Sequence, residues 1–242
     1  MKKLSLIFAI VAVIFAVNTT TFAQPQITVH VTGGYNLPFP DFKGTYPTDT
    51  NSYFQKSGYN FGADGKYYLG KKRNVGITLS ANYNAYSSGD ITLTGGTALI
   101  KFNVIGIGLG VEYAFMPKGK ANPFIGAEFS TNLFSGKTTL TPTGGTATEN
   151  TLKSATRFGA QINAGVDIAL AKTVGAVIGL RYNLANLIGK DSASSTVATE
   201  YTLQDKGYTN AAGTVIANKN ISALSIYAGV SFYFNKPKSM KK

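Results

Sequence analysis

The side chains in this sequence that could do chemistry are few. Cysteine is absent, so the chain has no thiolate metal ligand, no cysteine nucleophile and no disulfide. His30 is the one histidine, so a Ser-His-Asp arrangement would have to use it. Charged residues embedded among small and apolar residues are the other candidates, namely Asp64, Lys66, Glu112, Glu128, Arg157, Asp167 and Arg181.

Glu112 and Glu128 are the candidates for paired acid–base chemistry or cation binding. We expect them almost opposite one another on neighbouring segments, where two like charges would couple. A metal site would have to rely on carboxylates, and no segment has the spacing of an EF-hand loop. The similar sequences Thr94-Gly95-Gly96-Thr97 and Thr143-Gly144-Gly145-Thr146 are typical of hairpin tips, since a phosphate loop needs a following helix.

The charged candidates lie within a set of eight segments. Each of the eight segments alternates large apolar residues with small or polar ones. In the sixth segment, Phe158 and Ile162 alternate with Gly159, Gln161 and Asn163. This two-residue period predicts β-strands with one apolar face and one small, polar face. The predicted strands span 26–37, 59–69, 75–87, 98–115, 123–134, 154–170, 174–187 and 222–234.

The connections between the predicted strands alternate between short and long. Gly70–Asn74, Met116–Asn122 and Ala171–Thr173 are short. The other connections are longer and rich in Thr, Ser, Gly, Asn and Asp; they span 38–58, 88–97, 135–153 and 188–221. This pattern predicts an all-β, eight-stranded, antiparallel up-and-down transmembrane barrel with short periplasmic turns and long outer loops, so both termini are expected in the periplasm.

A soluble, lipocalin-like barrel is the alternative to a membrane barrel. It would turn the large apolar face inward and crowd a narrow interior, whereas lipid accepts that face readily. In a membrane barrel of eight strands the interior is just wide enough for side chains to fill. We therefore expect the seven charged residues to form a polar, ionic plug, with His30 as an interior polar residue, and we predict no enzyme activity, no cofactor and no metal.

The N-terminus has the pattern of a secretory signal peptide. Lys2 and Lys3 precede an apolar core from Leu4 to Val17, and Thr21-Phe22-Ala23 suits signal peptidase. An uncleaved anchor is the alternative, but the apolar core is shorter than the roughly 20 residues of a spanning helix. The predicted organisation is a cleaved signal peptide at 1–23, a barrel at 24–235 and a short basic periplasmic tail at 236–242.

The positive charge of the chain follows the predicted topology. The formal net charge is +12. Ten basic residues occupy the short connections and the tail: Lys71, Lys72, Arg73, Lys118, Lys120, Lys172, Lys236, Lys238, Lys241 and Lys242. They are scattered over turn tips, so they do not predict nucleic-acid binding. Contact with anionic lipid head groups or wall polymers, or plain solvation, accounts for them.

The C-terminal strand has a motif of its own. Gly229 is followed by alternating hydrophobic positions that end in the aromatic residues Phe232 and Phe234. This resembles the signal by which the barrel assembly machinery recognises outer-membrane proteins during biogenesis. Such a strand can pair with another edge by β-augmentation.

Residues 24–234 as a whole resemble the small eight-stranded outer-membrane proteins of the OmpA and OmpX type, the outer membrane protein beta-barrel domain group. The resemblance implies a monomeric barrel in the lipid of the bacterial outer membrane, with variable outer loops that serve adhesion, surface integrity or solute passage. The expected function is therefore a structural or surface-interaction role, and the alternative is a narrow porin-like channel for ions or small solutes. The loop composition identifies no ligand.

Overall fold

The computed structural model describes residues 25–49, 51–209, 213 and 215–234, and their regular structure is β. Among these residues no helix is long and apolar enough to cross a membrane. The predicted signal peptide and the predicted basic tail lie outside the described residues. The strands are β1 (Ile27–Pro38), β2 (Ser57–Leu69), β3 (Val75–Leu93), β4 (Gly96–Ala114), β5 (Ala121–Pro142), β6 (Thr148–Ala169), β7 (Val174–Ile188), β8 (Glu200–Tyr201), β9 (Tyr208–Thr209), β10 (Val215–Ile216) and β11 (Ser222–Phe234).

The eight long strands form a closed ring. From β1 to β7 each strand pairs antiparallel with the next, β7 also pairs with β11, and β11 returns to β1. The closing register aligns Ile27 with Phe234 and Pro38 with Ala223. A closed ring pairs the backbone groups of every wall strand, which is the condition for crossing lipid with strands. The predicted eight-stranded, all-β barrel is confirmed.

Burial follows the two-residue period of the sequence. On β1, Thr28, His30 and Asn36 are buried inside the ring, whereas Val31 and Tyr35 are about half exposed on its outer face. Large apolar side chains cover that outer face on every long strand, and they form an apolar belt that faces lipid.

Two inward glycines allow neighbouring strands to approach closely. A Cβ atom at Gly110 would lie 2.0 Å from the carbonyl oxygen of Ala127, and one at Gly229 would lie 2.1 Å from that of Val31. Any larger residue would therefore force these strands apart. The small inner face reflects backbone packing as well as the narrow bore.

The two ends of the barrel differ. The turn end carries the short connections 70–74, 115–120 and 170–173 together with both ends of the ring. The loop end carries a first long loop, residues 39–56, and a last long loop, residues 189–221.

The prediction of loops at 88–97 and 135–153 is wrong, because the strands continue through most of both segments. β3 and β4 run to a tip at Thr94–Gly95, and β5 and β6 run to a tip at 143–147. β-branched threonines sustain the strand conformation beyond the apolar belt. At the second tip Gly144 has φ of 73°, a conformation that glycine adopts readily.

Candidate functional site

Six of the seven predicted charged residues lie inside the ring, on five strands. All six are buried: Asp64 and Lys66 on β2, Glu112 on β4, Glu128 on β5, Asp167 on β6 and Arg181 on β7. Their strands bring them inward because each lies in phase with buried small residues of the same strand. Four carboxylates thus share the bore with two permanent cations.

Lys66 forms an ion pair with Glu112 across β3, which lies between their strands. The Tyr68 hydroxyl donates to the other oxygen of Glu112 at 2.7 Å. The Lys66 ammonium also lies 3.9 Å from Asp64 Oδ2 and 3.9 Å from the centroid of the Phe124 ring. The contacts of this one cation therefore join β2, β4 and β5 through the interior.

Glu128 has its own set of donors and does not pair with Glu112. The register places Glu128 opposite Gly110, and Glu112 opposite Gly126. Glu128 accepts hydrogen bonds from Ser80 at 2.5 Å, from Asn163 at 2.9 Å and from Gln161. The register therefore makes the two glutamates diagonal neighbours, almost but not directly opposite, with an offset of two residues between β4 and β5. Each carboxylate is held by neutral or cationic donors.

Arg181 spans the bore from β7 to β3. Its Nε donates to Asn163 Oδ1 at 2.9 Å, and its Nη1 donates to Asn82 Oδ1. Nη2 lies 3.9 Å from Asp64 Oδ1, and the guanidinium carbon lies 5.0 Å from the Tyr227 ring centroid. One side chain thereby links strands on opposite sides of the ring.

His30 lies between two carboxylates. Its Nδ1 is 3.1 Å from Asp64 Oδ2, and its Nε2 is 3.7 Å from Asp167 Oδ2. Asp167 accepts hydrogen bonds from Ser231 at 2.6 Å and from Tyr233 at 2.7 Å. His30 is therefore an interior polar residue at the turn end. Among the described residues no group of three or more His, Cys, Asp or Glu is arranged to hold a metal ion.

Arg157 does not join this network, although it is buried as an inward charge. Its Nε and Nη2 donate to Asp205, which is fully buried in the last long loop. Asp205 also accepts from Asn186 Nδ2 and from the backbone of Asp191, both at 2.9 Å. The pair thus fixes a loop to the wall. Sequence reasoning missed Asp205, because a loop acid has no periodicity that marks it as buried.

Above the charged layer, apolar side chains fill the loop end of the bore. This loop-end cap combines wall residues with residues of both long loops: Phe42, Tyr86, Phe102, Val104, Phe134, Leu152, Ala185, Leu203, Ile221 and Ala223. The prediction that every inner face is small and polar is wrong here. The signal was present in the sequence, since Phe102 and Val104 share the phase of the inward glycines of β4.

Contacts between the two long loops hold the cap in place. The Tyr53 hydroxyl donates to the carbonyl oxygen of Gln204 at 3.1 Å, and the backbone of Asn220 donates to Asp41 at 3.1 Å. Burial raises the pKa of Tyr53, so its hydroxyl keeps its proton and remains a donor. The Phe42 ring lies 4.7 Å from that of Tyr86, edge to face.

A family model described as Outer membrane protein beta-barrel domain matches residues 8–234. The chain belongs to this family. Solved structures similar to this outer-membrane barrel include Neisserial surface protein A, with 17% identity, a TM-score of 0.48 and coverage of 86% of this chain and 97% of that one. OprG from Pseudomonas aeruginosa has 13% identity, a TM-score of 0.47 and coverage of 89% and 99%.

Ail of Yersinia pestis, in complex with the heparin analogue sucrose octasulfate, has 12% identity, a TM-score of 0.41 and coverage of 86% and 99%. No curated protein has a sequence that matches this chain. Family membership indicates that the barrel is a protein of the bacterial outer membrane.

In this outer-membrane barrel, the residues of the predicted assembly signal lie on the closing strand β11. Phe232 and Phe234 are 39% and 49% exposed on the lipid face, and Gly229 faces inward. Phe234 pairs with Ile27 at the turn end, so the end of the signal is also part of the seam that closes the ring.

Proposed function

We propose that this outer-membrane barrel is closed to solutes and has a structural or surface-interaction role, exerted through its outer loops. The observation that supports the proposal is that two different layers of side chains occupy one bore. A layer of bridged charges fills the middle, and the apolar loop-end cap lies above it.

The charged layer blocks passage because its contacts run between non-adjacent strands. Lys66 reaches Glu112, and Arg181 reaches Asn82 from the far side of the ring. An eight-stranded barrel leaves room for side chains and little else, so such bridges leave no continuous path for a solute. Breaking them is costly, because each would leave a buried charge without its partner.

The cap blocks passage by a separate mechanism. Phe42, Leu203 and Ile221 come from long loops and are nearly or fully buried against the wall. Dry, packed apolar side chains exclude ions and water, since neither is solvated there. A solute would have to displace both long loops before it met the first charge.

The two glutamates have no catalytic role in this proposal. Their oxygens already accept hydrogen bonds from Tyr68, Ser80 and Asn163 within the bore. A general acid or base must reach a substrate proton, and both carboxylates are buried, with 3% of Glu112 and 5% of Glu128 exposed.

In the proposed orientation the loop end faces the cell exterior and the turn end, with both termini, faces the periplasm. Supporting it, the basic turns at 71–73, 118–120 and 172 all lie at the turn end, as short periplasmic turns do in such barrels. The barrel is proposed to act as a monomer in outer-membrane lipid, delivered by the assembly machinery through its last strand.

A narrow cation channel is the second candidate, and one observation favours it. At the turn end, three buried polar atoms lack a hydrogen-bond partner among the described residues: Thr28 Oγ1, His30 Nε2 and Thr78 Oγ1. Such atoms favour a hydrated half-lumen with an excess of carboxylates. This candidate requires the cap to open.

Conductance of the refolded mature protein in planar bilayers tests the proposal. We expect no steady current from the wild type, with insertion verified by the heat-dependent shift of its band on a gel. A combined variant, Phe42→Ser with Leu203→Ser and Arg181→Ala, removes the Arg181 bridge of the charged layer and two cap residues and is expected to conduct. Stable wild-type channels would overturn the closed barrel in favour of the cation channel.

A further inference from the structure

Three exposed lysines cluster on the outer wall of β4, β5 and β6, above the apolar belt. Lys101 lies directly opposite Lys137 in the register of β4 with β5. On the other side of Lys137 its pair partner is Thr151, and Lys153 lies two residues further along β6. We call Lys101, Lys137 and Lys153 the lysine patch.

The patch lies just beyond the lipid-facing surface. Ile105 and Leu133, the nearest large apolar residues on β4 and β5, are 47% and 44% exposed. Between them and the lysines lies one outward position per strand, and at this level the Tyr83 hydroxyl donates to Asn103 at 2.9 Å. Four residues of strand separate Lys101 from Ile105 and Lys137 from Leu133, which is about 13 Å along the strand. A lysine side chain that extends down the wall shortens this distance and brings its ammonium group nearer the head groups.

Within the strands, basic residues at this level of the wall are confined to one part of the ring, and Lys56, which directly precedes β2, is a nearby lysine outside them. The same row of paired residues continues from Lys101 through Ser87 to Ser57, so β3 and β2 present hydroxyls there. The lysine patch is therefore a local feature of three strands and not a uniform charged rim.

Without a counter-charge, the opposed pair of Lys101 and Lys137 is electrostatically unfavourable. Like charges directly opposite one another on neighbouring strands destabilise a sheet. Glu149 relieves part of this repulsion, because Lys137 Nζ donates to it at 2.7 Å. That hydrogen bond and the charge of Lys101 hold the pKa of Glu149 below its usual value. Glu200, on β8, lies beyond Thr151 on the far side of β6.

Two lysines of the patch remain available to a ligand. Among the described residues, neither Lys101 nor Lys153 is in an ion pair, and both side chains are exposed. Hydroxyls of Ser135, Thr139 and Thr151 flank the lysines on β5 and β6. Ammonium groups and hydroxyls on one face of the wall, above an apolar surface, are suited to the phosphate of a lipid whose acyl chains lie along that surface.

We propose that the lysine patch binds the phosphate groups of an outer-leaflet phospholipid or glycolipid, with the acyl chains of that lipid along the belt below. The inference rests on the proposed orientation, because the loop end must face the outer leaflet. Glu149 competes with the lipid phosphate for Lys137. The lipid phosphate thus supplies the negative charge that balances the opposed lysines.

Native mass spectrometry of the refolded mature barrel in detergent tests the proposal, with diphosphoryl lipid A as the probe. We expect the combined K101Q, K137Q and K153Q variant to bind lipid A with an affinity at least about tenfold lower than that of the wild type. Glu149→Gln removes the competing carboxylate and is expected to tighten binding about two- to fivefold. The affinity of the wild type should fall as salt concentration rises.

A matched control removes the same charge elsewhere. Lys43 and Lys206 of the long loops and Lys118 of the turn end are exposed lysines outside this row, and their triple replacement by Gln should leave binding unchanged. The proposal would be overturned by wild-type affinity in the K101Q, K137Q and K153Q variant, by equal binding of phosphatidylcholine, or by displacement of the lipid with an equal concentration of inorganic phosphate. Binding in micelles is independent of orientation and conductance, so its failure leaves the closed barrel unaffected.

Discussion

Arg157 and Asp205 form a buried ion pair that ties the last long loop to β6, with Nε and Nη2 of the arginine each 3.0 Å from a carboxylate oxygen. Arg157→Ala would leave the fully buried Asp205 without its cation, at a cost of about 3–5 kcal/mol. We expect residues 189–221 to lose protection from hydrogen exchange while the strands keep theirs.

An exposed ion pair is the matched control for that variant. Lys137 and Glu149 are 46% and 53% exposed. Because solvent screens such pairs, Lys137→Ala should leave exchange in the last long loop unchanged. Equal protection of that loop in the wild type and in Arg157→Ala would show that Asp205 does not anchor it.

The Lys66–Glu112 pair allows a rescue experiment. Lys66→Met keeps the shape of the side chain and leaves Glu112 buried with only Tyr68 as donor, so the free energy of unfolding should fall by about 3–5 kcal/mol. Adding Glu112→Gln removes the stranded charge and should restore most of that loss. Urea unfolding in lipid vesicles, followed by tyrosine fluorescence, gives both values. Purely additive effects would contradict direct coupling of the two residues.

The single variant Arg181→Ala is expected to give no steady current in planar bilayers. The substitution frees Asn82 and Asn163 and widens the charged layer, but the apolar cap above it is untouched. Two blocks in series conduct only when both are open. Steady currents from this single variant would mean that the cap does not seal the bore.

The orientation of the barrel in the membrane can be determined by labelling single introduced cysteines, because the natural chain contains no cysteine. Thr143→Cys, at the tip of the β5–β6 hairpin, should react with a membrane-impermeant maleimide on intact cells. Lys72→Cys, in the first turn at the opposite end, should react only after the outer membrane is permeabilised. The reverse result would invert the barrel.

Phe234→Asp should block assembly. The side chain lies on the lipid face at the end of the seam with Ile27, where a charge meets hydrocarbon. We expect the variant to be missing from the outer-membrane fraction and to lack the heat-dependent gel shift, whereas Phe234→Leu should assemble. Normal levels of Phe234→Asp in that fraction would remove this residue from the assembly signal.

Strand number, strand phase and ring order could be predicted from the sequence, because alternation and connection length record them directly. The alternation of each strand also predicted which charged side chains point inward. It could not predict which side chains they would contact across the bore. Glu112 and Glu128 lie two residues out of register, and that offset depends on how β4 slides along β5, which the pattern of either strand leaves undetermined.

The loop-end cap shows where periodicity stops being informative. Phe102 and Phe134 have inward phase, so their place inside the ring could have been predicted. Phe42 and Leu203 belong to loops, where no repeat marks a buried position. Their burial depends on contacts between segments far apart in the chain. Arg157 was assigned to the charged layer for the same reason, since its partner lies in a loop.

The seam between β1 and β11 has a consequence for the order of biogenesis. It joins the first described strand to the last, so the ring cannot close until the ribosome has released the final residues of the wall. Until then both terminal strands have unsatisfied edges that invite aggregation. High contact order makes such closure slow. We therefore expect a chain truncated by even one wall strand to keep both edges unpaired and to be degraded.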